Sequence, residues 1–489
     1  MISRMWTKTK IVCTMGPSVN SYEQILALID AGMNVARLNF SHSTQEDHLK
    51  TIELLKKARH ERKTSLSIML DTKGPEIRVG NLKGGSLKLE AGQRVFLVGA
   101  SIEGDEKAIP VTPMLALDGV EEGMFILFDD GYILSKVVKK EKEGVVVEIQ
   151  NAGLLKTHKG INIPQTQSKL PAMTEQDIAD IAFGCKQDVD LIAASFIRSK
   201  EHILEIKDLL QKQGKSHILV IAKIENSLGV KNFDEILDVS DGIMVARGDL
   251  GVELPLEKVP QLQKMMIRKC LQKGKPSITA TQMLESMIYN PRPTRAEVSD
   301  VANAIYDSTT CVMLSGETAS GKYPIQTVQM MKSIIQETEK EFSYRDFFSH
   351  SITVDYNDIS SSVALASVKT AYNLNAKAIF AFTTSGFTAR LISQFRPEMP
   401  IFALSSNEQT YQQLSLYWGV IPINPSQSKN IEEAFAKTSS FALDHHLLKK
   451  GDCVIVAAGS PFGIKGSTNM MLIAQIGRGD CKTLSGGQI

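Results

Sequence analysis

The chain has 489 residues, with 55 Lys and Arg against 54 Asp and Glu for a net charge of +1, and 43% hydrophobic residues. This balance gives no support for a nucleic-acid or membrane-surface partner, and the length suits roughly three domains. Six dispersed cysteines with no C-x-x-C spacing read as buried, reduced thiols; with no apolar run of the ~18 residues that cross a bilayer, and an N-terminus that lacks the apolar core of a secretion signal, a cytoplasmic protein is expected.

From the N-terminus, KIVCTMG reads as a strand and SYEQILALIDAG as a helix with a Ser cap and a terminal Gly. VARLNF is a second strand, followed by a polar helix from about Thr44 to Arg62, and LSIMLD is a third strand. From about Pro75 to Leu170 glycines become frequent and the runs between them short and β-like, with DDGY at Asp129–Tyr132 as a hairpin turn. This stretch, residues 75–170, is expected to be a separate all-β domain inserted after the third strand.

The helix LPAMTEQDIADIAFG restores the alternation, and VDLIAASFI, ILVIAKIE, GIMVARGD, PSITATQ and TCVMLSGE continue it, with helices at Glu257 to Lys273 and Pro324 to Glu341. About eight β-α units in one series match a closed (β/α)8 barrel over residues 1–74 and 171–345, although an open doubly wound sheet shows the same pattern. A second α/β series fills residues 346–489: AKAIFAFTT, PIFALS, VIPIN and CVIVAAG as strands of an open sheet, TNMMLIAQIG as an antiparallel edge, and RGDCKTLSGGQI as a disordered tail.

Polar residues cluster where the barrel strands end. VARLNFSH supplies Arg37, Asn39, Ser41 and His42; LDTKGPEIR supplies Asp71, Thr72, Lys73, Glu76 and Arg78. AKIEN supplies Lys223 and Glu225, VARGD supplies Arg247, Gly248 and Asp249, TATQ supplies Thr281 and Gln282, and LSGE supplies Ser315 and Glu317. In a barrel these exits share the face where active sites form. Lys223 and Glu225 are two apart on a strand and so point the same way. Glu225 and Asp249 are hard oxygen ligands suited to Mg²⁺ or Mn²⁺, or else partners of Lys223 and Arg247 in salt bridges. A metal on one side and an ammonium on the other would bracket a phosphoryl group. Arg37 has the planar fork for a second phosphate edge. The chain has no P-loop and no protein-kinase H-R-D or D-F-G set.

The segments TKIVCTMGPS, GMNVARLNFSH, LDTKGPEIR, AKIENSLG, GIMVARGDLGVELP, ATQMLESM, NPRPTRAEVSDVANA and LSGETASGKYP resemble, in order and spacing, the pyruvate kinase family. The resemblance is loose in the inserted domain, apart from KGINIP, and in the C-terminal domain. It implies a (β/α)8 TIM barrel, a mobile small β-barrel lid inserted after the third strand, and a C-terminal α/β effector domain. The implied reaction is transfer of a phosphoryl group from phosphoenolpyruvate to ADP, giving pyruvate and ATP, the last step of glycolysis.

Carried over by motif, the resemblance gives Lys223, Arg37 and Thr281 as catalytic residues, with Gly248 and Asp249 also on the substrate. Glu225 and Asp249 would hold Mg²⁺ or Mn²⁺; Asn39, Ser41, Asp71 and Thr72 would hold K⁺, and Glu76 goes with K⁺ dependence. Asn39, Ser41, His42, Arg78 and Lys159 would meet the nucleotide. The C-terminal stretch TTSGFTA offers Thr383, Thr384, Ser385 and Thr388 to a sugar-phosphate or nucleotide effector, with GSPFGIKGSTN closing over it. A homotetramer is implied as well.

Leu228, Ser43 and His158 depart from the residues common in the family, and Thr384 stands where some fructose-bisphosphate-responsive members carry Lys. Two other readings are a phosphoenolpyruvate or oxo-acid lyase or mutase, which has no need of an ADP site, and a catalytically dead effector sensor, which has no need of Lys223 and the two metal carboxylates.

Overall fold

The computed structural model describes residues 6–164, 170–351, 358–423, 428–464 and 466–477. The tail read as disordered lies outside them. Three strands come first: β1 (Lys10–Thr14), β2 (Val35–Asn39) and β3 (Ser67–Asp71). The insertion holds β4 (Arg78–Val79), β5 (Ser86–Leu89), β6 (Arg94–Val98), β7 (Ala108–Thr112), β8 (Phe125–Phe128), β9 (Ile133–Glu141), β10 (Gly144–Ile149), β11 (Gly153–Lys156) and β12 (Ile161–Asn162). Then follow β13 (Leu191–Ala194), β14 (Leu219–Ile224), β15 (Gly242–Ala246), β16 (Ser277–Ala280) and β17 (Cys311–Leu314). The parallel strands close into a barrel in the order β1-β17-β16-β15-β14-β13-β3-β2, which decides between the closed and the open sheet. Every residue of β1, β3, β13, β15, β16 and β17 is buried, as expected for strands covered on both faces.

By contact the chain falls into two compact units, one of Met1–Leu70, Gln187–Ile192 and Ile267–Ile489, the other of Asp71–Lys186 and Ala193–Met266.

Local chemistry sets the helix ends. Tyr22–Ala31 starts on a capping box between Ser21 and Gln24 and stops at Gly32, whose φ of 128° few other residues adopt. Gln45–Arg62 starts on a second box between Thr44 and Asp47. The helix expected from Leu170 begins only at Glu175, because Thr174 and Asp177 exchange backbone and side-chain hydrogen bonds there. The helix expected from Glu257 begins at Val259, after a 3-10 turn at Leu256–Lys258.

The inserted domain is a seven-stranded sheet, β12-β8-β9-β10-β6-β7-β4, with β11 and β5 as a separate pair. Backbone hydrogen bonds from Val79 to Lys159, His158 to Val79 and Ile161 to Ile77 join its first and last strands, so the sheet curls shut. Alternate residues such as Val145, Val147 and Ile149 point into a core with Phe128 and Ile133. The β8–β9 hairpin turns at Asp129, Asp130 and Gly131, all at positive φ.

In the C-terminal domain, β18 (Ala378–Phe382), β19 (Ile401–Leu404), β20 (Val420–Ile423), β21 (Cys453–Gly459) and β22 (Thr468–Gln475) order as β20-β19-β18-β21-β22, with β22 antiparallel at the edge. Ile379 and Ala381 feed one core and Phe380 and Phe382 the other, so both faces of the sheet are covered.

Two buried cations tie this domain to strands of the barrel. Lys10 Nζ donates to the Val420 carbonyl at 2.8 Å, and Arg396 donates to the Ser308 carbonyl at 2.8 Å with its guanidinium over the Trp418 ring. Burial pulls Lys10 down to about 8 and Arg396 to about 9.

Phe380 is fully buried between Phe402 and Phe435, with ring centroids 5.7 Å away in each case. Phe380→Ala is expected to cost about 3–5 kcal/mol, read as a lower midpoint in chemical denaturation.

Candidate active site

The strand β14 is apolar and buried along most of its length, then ends in Lys223 and Ile224, with Glu225 the next residue. As their spacing requires, Lys223 and Glu225 meet: Nζ lies 2.9 Å from the Glu225 carboxylate. The same ammonium lies 3.1 Å from Asp71 at the end of β3 and 2.7 Å from the Ser195 hydroxyl just past β13. Its three N–H donors thus have three acceptors within reach. Ser195 donates its own proton to the Thr72 carbonyl at 2.6 Å, which turns its lone pairs towards Lys223. Glu225 also accepts the backbone N–H of Phe196 at 2.5 Å.

Asp249 stands in the short helix Arg247–Glu253, directly after β15. Burial first, and the neighbouring Glu225 carboxylate second, push Asp249 up to about 7, against the pull of Lys223. The buried Glu225 carboxylate, next to a half-buried one whose charged form is disfavoured, makes a donor set that a divalent cation would satisfy. Among the described residues no cluster of three or more His, Cys, Asp or Glu side chains forms.

A cavity of about 290 Å³ opens beside the pair, lined by Arg78, Lys159, Phe196, Leu228, Asp249 and Glu253 among others. Arg78 is braced by Glu76 at 2.6 Å and by the His158 carbonyl, and Lys159 by Asp129 at 2.7 Å. Both expected nucleotide-binding cations of the insertion therefore face one cavity with Asp249. His158 sits at a φ of 62°.

The other unit holds Arg37, Asn39, Ser41, His42, Thr281, Gln282 and Glu317. Arg37, 8% exposed, donates to Thr14 at 3.0 Å. Asn39 accepts the N–H of Ser41. The carbonyl of His42 faces the ring of His48 at 2.9 Å, so His48, stacked on Phe40, is the histidine built into the fold here. Ser43 has a φ of 68°, the left-handed region a glycine takes without strain. Thr281 and Gln282 have φ of 69° and 54°, two successive left-handed residues that are not glycine, as functional turns tend to be. Glu317 is fully buried and accepts the N–H groups of Leu284 and Ser315, which makes it a brace for the loops after β16 and β17.

In the C-terminal domain Thr383, Thr384 and Thr388 line a cavity of about 150 Å³ together with Lys429 and Phe462. Thr384 donates to the Gly463 carbonyl at 3.2 Å, so the glycine-rich loop lies against the strand-end loop. Thr388 is buried and bonded to Thr468 at 2.7 Å, and Ser385 is exposed outside the lining. The sequence reading missed Ser195, Phe196, Asp177 and Lys429. For the first two a signal was available, the polar residues closing AASFIRS.

Family profiles described as pyruvate kinase, barrel domain, and pyruvate kinase, alpha/beta domain, match residues 6–328 and 361–474. The pyruvate kinase of Sporosarcina psychrophila is 47% identical over 96% of this chain and 80% of its own length, and that of Geobacillus stearothermophilus 45% identical with the same coverage. A solved pyruvate kinase from Cryptosporidium parvum superimposes with a TM-score of 0.92, at 38% identity and 97% coverage of both chains.

Protons and a divalent cation compete for Asp249. Mn²⁺ binding, followed by EPR of the free ion, is expected to tighten as pH rises to about 7 and then level off, while the metal-free protein loses stability as pH climbs from about 4 through 7. Asp249→Asn is expected to weaken binding by about tenfold or more and to flatten the dependence. Wild-type binding that is already flat across this range contradicts the assignment.

Proposed function

The chain belongs to the pyruvate kinase family, and on that footing we propose how its own side chains carry the transfer of a phosphoryl group from phosphoenolpyruvate to ADP. The observation that carries the reading is the meeting of Lys223, Glu225, Asp71 and Ser195 at one group of strand ends, beside a cavity with Asp249 and two cations on its walls.

Phosphoryl transfer asks little covalent work of a protein; it asks for placement and for charge opposite the moving group. Lys223 supplies that charge from a rigid strand, with Ser195 and Asp71 keeping their hold on the ammonium while its third donor turns from Glu225 to the phosphoryl oxygens. The P–O bond of the donor breaks with its electron pair left on the enol oxygen, a new bond forms to the terminal oxygen of ADP, and the enolate becomes pyruvate as its methylene takes a proton. Glu225 and Asp249 hold Mg²⁺ or Mn²⁺, which when bound stabilises the developing enolate oxygen and the substrate carboxylate. Gly248 and Asp249 receive the substrate at the start of their helix. Arg37 grips the phosphate as a fork, and Thr281, near the enolate methylene, helps a water-linked relay deliver the proton.

Asn39, Ser41, Asp71 and Thr72 offer the neutral and anionic oxygens that suit K⁺. Asn39, Ser41 and His42, with Arg78 and Lys159 of the insertion, take the nucleotide. The C-terminal cavity is read as the place for a sugar-phosphate or nucleotide effector, and the assembly as a homotetramer. No helix of the described residues is long and apolar enough to cross a membrane, which is compatible with a cytoplasmic site of action.

A coupled assay is expected to show pyruvate formation that depends on ADP; pyruvate released without ADP would point to a lyase or mutase. Lys223→Met, uncharged and of similar length, is expected to lower turnover more than about tenfold, ~1.4 kcal/mol, and a smaller loss removes Lys223 from its role. Activity is expected to require K⁺, and full turnover in buffer free of K⁺ and Na⁺ removes the monovalent site.

A further inference from the structure

The insertion leaves the barrel just after β3 and returns before the helix Glu175–Lys186. One buried carboxylate clasps both connections. Asp177 accepts the Gly74 N–H at 2.9 Å through one oxygen, and the Thr174 N–H and hydroxyl at 2.8 and 2.7 Å through the other. Gly74 itself has a φ of 73°, and its α-carbon faces Ser195 and Phe196 without clearance. A methyl placed there would lie 2.8 Å from the Phe196 ring and 2.9 Å from Ser195 Cβ.

Those two residues hold the reaction's charged groups. Ser195 accepts from Lys223, and Phe196 donates its N–H to Glu225. Phe196, whose N–H meets Glu225, has a backbone φ of 54°, a region in which a residue with a bulky side chain is rarely found. Such strain persists where surrounding structure imposes it, and here the structure in contact is the outgoing connection of the insertion.

Resting on the reaction proposed above, we propose that Ser195 and Phe196 are positioning residues, setting Lys223 and Glu225 respectively, and that Gly74 makes their placement answer to the position of the inserted domain. The hydroxyl acts on the ammonium and the N–H on the metal carboxylate, so the two influences separate by experiment.

Ser195→Ala is expected to lower kcat about 10–100-fold, the range for loss of an outer-sphere partner, with KM for phosphoenolpyruvate, Mn²⁺ affinity by EPR and Tm close to wild type. Gly74→Ala is expected to weaken Mn²⁺ binding about fivefold or more as Phe196 is displaced from Glu225, within the range of outer-sphere effects. Gly123→Ala is the control for backbone strain alone, since Gly123 has a φ of 87° and nothing within 4 Å of the added methyl; it is expected to bind Mn²⁺ as wild type does. Should Gly74→Ala not fold, Asp177→Asn, which keeps the shape and removes the clasping charge, takes its place with the same expectation.

The proposal is overturned if Ser195→Ala turns over within about twofold of wild type, or if Gly74→Ala and Gly123→Ala bind Mn²⁺ alike. Mn²⁺ binding and Tm need no turnover. A wild-type chain that binds Mn²⁺ yet forms no pyruvate therefore overturns the reaction, while the metal measurements still decide whether Gly74 and Phe196 set the carboxylate.

Discussion

The ammonium of Lys223 held against the carboxylate of Glu225, with Asp249 close behind, is the constraint around which the rest is arranged. Charges this close and this buried are costly to keep unless each has a partner and an oriented hydrogen bond. The strand β14 supplies the orientation: it is fixed by the barrel on both sides, and its last residues cannot move apart. The neighbouring strand ends supply the partners, Asp71 and Ser195 for the ammonium and the Phe196 N–H for the carboxylate. A barrel is well suited to this, because its rigid strands end together while the loops beyond them vary freely.

Much of this was legible in the sequence because it rests on periodicity. Continuous apolar runs marked the barrel strands, frequent glycines between short β-like runs marked the insertion, and Ser21 and Thr44 marked helix starts as local capping predicts. The pairing of Lys223 with Glu225 followed from the two-residue repeat of a strand alone. The bracing of Arg78 by Glu76 is likewise a contact two residues apart along one segment.

The harder features were those created by distance along the chain. Ser195 lies 28 residues from Lys223, and nothing in AASFIRS says which strand will lie next to it. Asp177 is an acid in the first turn of a helix, and its grip on Gly74, 103 residues earlier, joins the places where the chain leaves and re-enters the barrel. Glu317 shows the opposite error. At a strand exit it resembled a functional acid, yet full burial and two backbone N–H partners make it a structural brace. Left-handed backbone at Phe196, Thr281 and Gln282 has no sequence signature in residues that are not glycine, since it is imposed by tertiary contacts.

The buried cations Lys10 and Arg396 bear on how the parts of this chain were joined. Each comes from one domain and is satisfied largely by main-chain oxygen of the other: Val420 for Lys10, Ser308 for Arg396. A barrel released from its C-terminal partner would carry a hydrophobic floor pierced by an ammonium, and the partner would bare a guanidinium beside Trp418. The seam therefore behaves as interior rather than as a junction between modules, and the C-terminal portion is not a detachable accessory of the catalytic one.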